Sequence, residues 1–161
     1  MKKYLTFDIG GTNLKYALVD ENGQILEKDR IKTNAEDLDA FMESMYQVAD
    51  KYQDAFSGIA VCAPGKIDTE NKIIYFGGAL PFLDGLNLQE TLGQKYGVPI
   101  SVENDGKTAA LSEQWLGELR GVDTGVAITL GTGVGGGVFG GFTRGPPPAQ
   151  PPARGAPHHS K

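Results

Sequence analysis

Three short stretches bring together residue types that suit the chemistry of a phosphate ester. The first is Asp8-Ile9-Gly10-Gly11-Thr12-Asn13-Leu14-Lys15, a carboxylate at the end of an apolar run followed by paired glycines, a hydroxyl and a lysine. Glycines let backbone N–H groups approach an anion, Thr12 adds a donor, and Asp8 suits Mg2+ held through water. The plainer reading of the same residues is a tight hairpin entrance with a solvated Lys15. The second stretch is Leu130-Gly131-Thr132-Gly133-Val134-Gly135-Gly136-Gly137. Gly131, Gly133 and Gly136 fit the G-x-G-x-x-G dinucleotide pattern, but that pattern must open a helix and be followed by an acid about 20 residues on. Here Val138-Phe139 reads as strand and no acid lies beyond residue 123, so the dinucleotide reading fails. What remains is a Gly-Thr-Gly turn between strands, offering N–H groups to a second phosphate, or else a flexible glycine linker. The third stretch is Val102-Glu103-Asn104-Asp105, where a strand passes into a helix. Asp105 is most simply an N-cap. Its functional alternative is a base that receives the proton of a substrate hydroxyl; a carboxylate is a weak base, which phosphoryl transfer tolerates because positioning and charge stabilisation dominate.

The elements that must position these residues follow from periodicity. Leu5, Phe7 and Ile9 alternate into a strand that runs into Gly10-Gly11. Leu14–Val19 and Gln24–Ile31 flank Glu21-Asn22-Gly23, and Asn-Gly is a strong hairpin signal because both residues tolerate positive φ. Asn34 with Asp37 opens a helix whose Leu38, Phe41, Met42, Met45, Ala49 and Tyr52 fall on one face. Phe56–Ala63 is a continuous apolar run that suits a strand covered on both faces, with Cys62 a small buried hydrophobe inside it. Pro64-Gly65 ends that strand, and Lys66–Phe76 suits a lesser strand pair. Asn87 and Glu90 have capping-box spacing ahead of a short helix through Leu88, Leu92 and Tyr96, stopped by Gly97 and Pro99. Strands over Ile100–Glu103 and Gly125–Leu130 bracket a helix over Asn104–Leu116, and Val138-Phe139 begins one more strand. Strands and helices alternate, which predicts an α/β domain with a mixed, mostly parallel sheet, an N-terminal hairpin and flanking helices.

Composition narrows the class. Of 161 residues, 15 are Lys or Arg and 20 Asp or Glu, for a formal charge of −5. The acidic balance argues against nucleic acid and anionic membranes as partners. With no long apolar run and no signal pattern, a cytoplasmic location is expected. One cysteine excludes an internal disulfide and an all-Cys zinc site within one chain. Glycine is in excess, 23 residues, about twice the usual share of roughly 7 %. The charge is uneven: residues 1–141 hold 12 basic and 20 acidic side chains, whereas residues 142–161 hold three basic and none acidic. That last segment also carries six of the nine prolines and no Val, Ile, Leu or Met. It cannot bury enough apolar area to offset its ordering entropy, which predicts a disordered tail behind a domain over 1–141. Pro148-Ala149-Gln150-Pro151 fits a P-x-x-P ligand, but Arg154 stands one position too far out for the usual basic flank.

Taken together, the stretches DIGGTNLK (8–15), AVCAPG (60–65), GGALPFLDG (77–85), VENDGKTAALSE (102–113) and LGTGVGGG (130–137) resemble the ROK family of sugar kinases and sugar-responsive regulators. The likeness runs in order over residues 3–140. It implies an actin-like, ribonuclease H-like ATPase domain and an ATP- and Mg2+-dependent phosphorylation of a sugar hydroxyl. By that resemblance Gly10, Gly11, Thr12 and Lys15 line a first phosphate loop with Asp8 near Mg2+. Gly131, Thr132 and Gly133 line a second. Asn104 and Asp105 hold sugar hydroxyls, with Asp105 the base, and Gly65, Gly78 and Ala79 sit beside the sugar chiefly through backbone groups. Ala79 departs from the family pattern, where many members have Asn.

Family members run to about twice this length, and their second half carries an E-x-G-H sequence joined to a Cys-rich zinc motif. Neither is present: no Glu lies after residue 118, no His before residue 158 and no Cys other than Cys62. No zinc is expected in this chain, and two exposed neighbours, His158 and His159, cannot complete a four-ligand site. We expect a reading-frame change or a false gene model near Gly140–Arg144, and hence a truncated chain of little or no activity. The expected partner is a small sugar, with no nucleic acid and no membrane, and a homodimer is allowed. The alternative is a non-catalytic, sugar-binding regulator fragment, although regulators of this family place a DNA-binding domain ahead of a phosphate loop that here starts at residue 8. An inert fragment is the third reading, and an unstable, protease-sensitive product would mark it.

Overall fold

Alternating apolar side chains over the first 20 residues fold into β1 (Lys3–Ile9) and β2 (Asn13–Asp20), and the Asn22-Gly23 turn leads to β3 (Ile25–Lys32). The computed structural model describes residues 1–130 and 134–140. Helix α1 (Leu38–Lys51) follows, then β4 (Ile59–Ala63), the short strands β5 (Lys66–Asp68), β6 (Ile73–Tyr75) and β7 (Leu86–Asn87), and a π-helical turn over Gln89–Gly93 that passes into α2 (Gln94–Tyr96). The described chain continues through β8 (Ile100–Asn104), α3 (Asp105–Trp115), β9 (Thr124–Leu130) and β10 (Val134–Gly140). Gly131, Thr132 and Gly133, and residues 141–161 with the tail expected over 142–161, lie outside the described residues.

The main sheet has the order β3-β2-β1-β4-β8. β3 to β2 and β2 to β1 pair antiparallel, whereas β1 to β4 and β4 to β8 pair parallel. Parallel pairing therefore accounts for half of this mixed sheet rather than most of it, because the N-terminal hairpin supplies both joints on one side. β5, β6 and β7 form a small antiparallel sheet, and β9 pairs antiparallel with β10.

One face of the main sheet is the core. Leu5 and Phe7 of β1, Leu14 and Leu18 of β2, Ile59 and Val61 of β4 and Val102 of β8 are buried against Phe41, Met42, Met45, Val48 and Ala49 of α1 and against Leu80, Leu83, Leu88 and Leu92. Helix α1 starts where its sequence allows: Asp37 caps it by accepting the Ala40 N–H at 2.8 Å, while Asn34 accepts the Glu36 N–H one turn earlier. Asn87 accepts the N–H groups of Gln89 and Glu90 at the head of the next helical segment. Gly97, in the left-handed region at φ 65°, ends α2.

The other sheet face is only partly covered, so β4 is not buried on both sides. Its burial alternates, with Ala60 and Cys62 half-buried toward α3. That incomplete cover leaves a row of polar side chains on this face.

Candidate functional site

Because β1, β4 and β8 run parallel, their carboxyl ends fall on one edge of the sheet, the edge where α/β folds place ligands. Gly10–Thr12 follows β1, Pro64-Gly65 follows β4, and Asp105 follows β8. Just below the edge, strand register sets a lateral row across the half-open face: Arg30, Lys15, Asp8, Cys62 and Glu103 are consecutive neighbours on β3, β2, β1, β4 and β8.

Asp8 and Lys15 form an ion pair at 3.1 Å, with side chains 46 % and 61 % exposed. A pair this exposed contributes at most about 1 kcal/mol, so an incoming phosphate can compete for the lysine at little cost. The thiol of Cys62 is pushed up to about 12, first by burial and then by the Asp8 carboxylate, with a smaller contribution from Asp105. It is therefore held in its neutral form beside Asp8 in the row.

Thr33 and the loop after β1 are tied together. The Gly10 N–H donates to the Asn13 carbonyl at 3.1 Å, the Thr33 N–H to the Thr12 carbonyl at 3.0 Å, and the Thr33 hydroxyl to the Gly10 carbonyl at 2.6 Å. Thr33 is buried, whereas Gly11 and Thr12 are exposed. Sequence reasoning missed Thr33. Its position was readable all the same, since a hairpin centred on Asn22-Gly23 places residue 33 opposite residue 12.

The head of α3 is capped by Asn104 rather than Asp105. Asn104 Oδ1 accepts the N–H groups of Gly106 at 3.0 Å and Lys107 at 3.3 Å, and its Nδ2 donates to the Gly65 carbonyl at 2.9 Å. Asp105 is the first helical residue, exposed, with Oδ1 accepting the Gly106 N–H at 2.7 Å. The cap moved by one residue because the chain is still extended at Asn104, with φ −65° and ψ 146°. Asp105 stands exposed beside that cap, with only one of its two carboxylate oxygens on the Gly106 N–H.

The loop after β6 closes the same edge. A Cβ on Gly11 would stand 3.2 Å from the Cβ of Ala79, so the loop after β1 and the Gly77–Leu80 turn are in contact. Gly65, at φ 91°, lies so near Tyr75 and Phe76 that a Cβ there would fall 2.4 and 2.3 Å from their carbonyl oxygens. Gly78 adopts φ 63° beside Pro64. Phe76 is also left-handed, at φ 54°, and 71 % exposed, its N–H held by Asp84 Oδ1 at 2.9 Å. A bulky side chain in that region costs about 1–3 kcal/mol. Asp8, Gly10, Gly11, Thr12, Lys15, Gly65, Gly78, Ala79, Asn104 and Asp105 thus lie along one sheet edge. Gly135–Gly137 does not belong to a loop: it lies in β10, packed on the first turn of α3, with a Cβ on Gly106 only 2.4 Å from the Gly136 carbonyl oxygen.

As for metals and membranes, no group of three or more His, Cys, Asp or Glu side chains suited to a metal exists among the described residues. Mg2+ does not require one, since it keeps several waters and takes one or two carboxylates beside nucleotide phosphates, and the half-exposed Asp8 fits that use. No described helix is long and apolar enough to cross a membrane.

A sequence profile of the ROK family matches residues 4–144. A beta-glucoside kinase of Listeria monocytogenes is 38 % identical over 132 residues, covering 82 % of this chain and 45 % of that protein. A glucokinase of Thermotoga maritima is 37 % identical over 137 residues, covering 82 % of this chain and 43 % of that protein. Among solved structures, a ROK family glucokinase from Streptomyces griseus in complex with glucose and AMPPNP superposes with a TM-score of 0.77 at 28 % identity, over 86 % of this chain and 45 % of that one. The chain spans about half the length of the curated relatives it matches.

Proposed function

The chain belongs to the ROK family, and from that premise we propose that it is a sugar kinase of this family, transferring the γ-phosphoryl group of ATP to a hydroxyl of a hexose or hexose-derived sugar in the cytoplasm. The single observation that carries the reading is the meeting of three loops and the head of α3 at one edge: Gly11 near Ala79, Gly65 hydrogen-bonded to Asn104, and Asp105 next to Asn104.

In this reading Gly10, Gly11 and Thr12 cradle nucleotide phosphates through backbone N–H groups, and Lys15 leaves Asp8 to pair with a phosphate oxygen. Gly131, Thr132 and Gly133, which lie outside the described residues, are the candidates for binding a second phosphate. Asp8 would hold Mg2+ through water, and the ion, when bound, would supply positive charge against that of the phosphates. Asn104, whose Oδ1 and one N–H are already used, keeps its second amide N–H for a sugar hydroxyl. Gly65, Gly78 and Ala79 meet the sugar with backbone groups. Asp105 accepts the proton of the attacking hydroxyl as its oxygen bonds to the γ-phosphorus and the bond to the ADP oxygen breaks.

The residues assigned to the sugar, Gly65, Gly78, Ala79, Asn104 and Asp105, all lie along one sheet edge, and weak turnover at most is expected of the 161-residue chain by itself. A coupled phosphorylation assay with glucose, mannose, N-acetylmannosamine and a β-glucoside tests this. The expected result is slow product formation at most, abolished by Asp105→Asn. Turnover near the ordinary kinase range of about 1–100 s⁻¹ overturns that expectation, and product formed equally by Asp105→Asn overturns Asp105 as the base.

A further inference from the structure

The buried threonine behind the first loop does more than end a strand. Only Gly10, Gly11 and Thr12 link β1 to β2, and carbonyl oxygens in such a short link would repel an anion as strongly as its N–H groups attract one. Two of the three carbonyls in that link are occupied by one residue: Thr33 donates its hydroxyl to Gly10 and its backbone N–H to Thr12. In a trans peptide the N–H points opposite to the C=O, so fixing the Gly10 and Thr12 carbonyls toward Thr33 turns the N–H groups of Gly11 and Asn13 the other way. Gly11 lies so near Ala79 that a Cβ on it would stand 3.2 Å from the Ala79 Cβ, and the Gly10 N–H is held by the Asn13 carbonyl, so the ties on the loop's carbonyl side come from Thr33. Backbone donors are effective for anions when they are fixed before the ligand arrives.

We propose that Thr33 is a positioning residue of the first phosphate loop, its hydroxyl holding the Gly10 carbonyl away so that the Gly11 N–H stays aimed at a nucleotide phosphate. This rests on the phosphate-binding reading of Gly10–Thr12. The side chain does not touch the ligand; it acts through Gly10 and through its own backbone bond to Thr12. Threonine suits the place because its hydroxyl reaches the carbonyl while its methyl group stays in a buried setting, 6 % exposed. Serine keeps the hydroxyl, valine keeps the shape without it, and alanine keeps neither.

The test uses the full chain, labelled with 15N, in four forms: wild type, Thr33→Ser, Thr33→Val and Thr33→Ala. Amide exchange of Gly11 in the free proteins and titration with MgATP are the two readouts. Valine and alanine are expected to speed Gly11 exchange at least fivefold and weaken MgATP binding about tenfold, while serine stays within twofold of wild type on both. A folded Thr33→Val or Thr33→Ala that exchanges and binds like wild type overturns the proposal and leaves the phosphate loop standing. Serine as impaired as valine, with the same drop in unfolding midpoint, also overturns it, because the hydroxyl is then not the active feature. No MgATP-induced shift at Gly10–Thr12 in wild type overturns the phosphate-loop reading, and the proposal falls with it.

Discussion

The two glycine-rich stretches, Gly10-Gly11 and Gly135–Gly137, have similar composition and opposite duties. At Gly11 the nearest neighbour of an added Cβ is another side chain, Ala79, at 3.2 Å, and the residue is exposed. At Gly137 an added Cβ would fall 2.1 Å from the Gly106 carbonyl oxygen and 2.7 Å from the Cα of Lys107, both backbone. On the proposed function, the first lacks a side chain so that a ligand can approach. The second lacks one so that a helix can. What separates them is which surface faces the backbone, and that is a tertiary fact.

Substitutions at the two sites should therefore separate folding from binding. The largest effect is expected at the packed site, where Gly137→Ala must push β10 off α3. It should cost about 1–3 kcal/mol by denaturant unfolding and expose the β9 and β10 amides to exchange. Gly11→Ala should change stability by less than about 0.5 kcal/mol and lower MgATP affinity instead. Equal losses of stability at both sites would erase the distinction. Next in size is Asn104→Ala, which removes the α3 cap and the tether to Gly65 together. A cost of about 1–2 kcal/mol in unfolding is expected, with Asp105 less ordered in relaxation measurements.

Smaller and opposite in sign is Phe76→Gly. The ring is exposed and the backbone left-handed, so glycine should raise stability by up to about 1 kcal/mol, measured as a higher melting midpoint. A fall would mean that the ring packs on something that the edge requires. The smallest effect belongs to the far end of the sheet, in the β2–β3 turn. Asp20 accepts the Gln24 and Asn22 N–H groups, both at 2.9 Å, and the Gln24 bond first of all lowers its pKa from 3.8. A lowered pKa means stability that is present above pH 3.8 and lost as pH falls through the folded value. The stability gap between wild type and Asp20→Asn should thus shrink in acid while MgATP binding near neutrality is unchanged.

Elements with strong local signals were legible in the sequence. The Asn22-Gly23 hairpin, the one-sided apolar pattern of α1 and the strands before Gly10 and Asn104 all stand where periodicity puts them. So does the motif order, which carried the family resemblance. Less legible was anything set by a neighbour distant in sequence. Cys62 reads as core because its strand is apolar, yet its face of β4 is only half-covered. Asp105 reads as the cap because Asp and Asn are near-equal caps, and only the extended backbone at Asn104 decides between them. Gly135–Gly137 reads as a ligand loop because glycine carries no record of what lies against it.

On the proposed function, one sheet edge joins a phosphate loop to a sugar site. Protein-observed NMR of the 161-residue chain, titrated first with a non-hydrolysable MgATP analogue and then with a sugar, tests it most directly. Amide shifts are expected at Gly10, Gly11 and Thr12 on the first addition, and at Gly65, Ala79 and Asn104 on the second. Shifts confined to α1 or to β3, with the edge unmoved by either ligand, would contradict it.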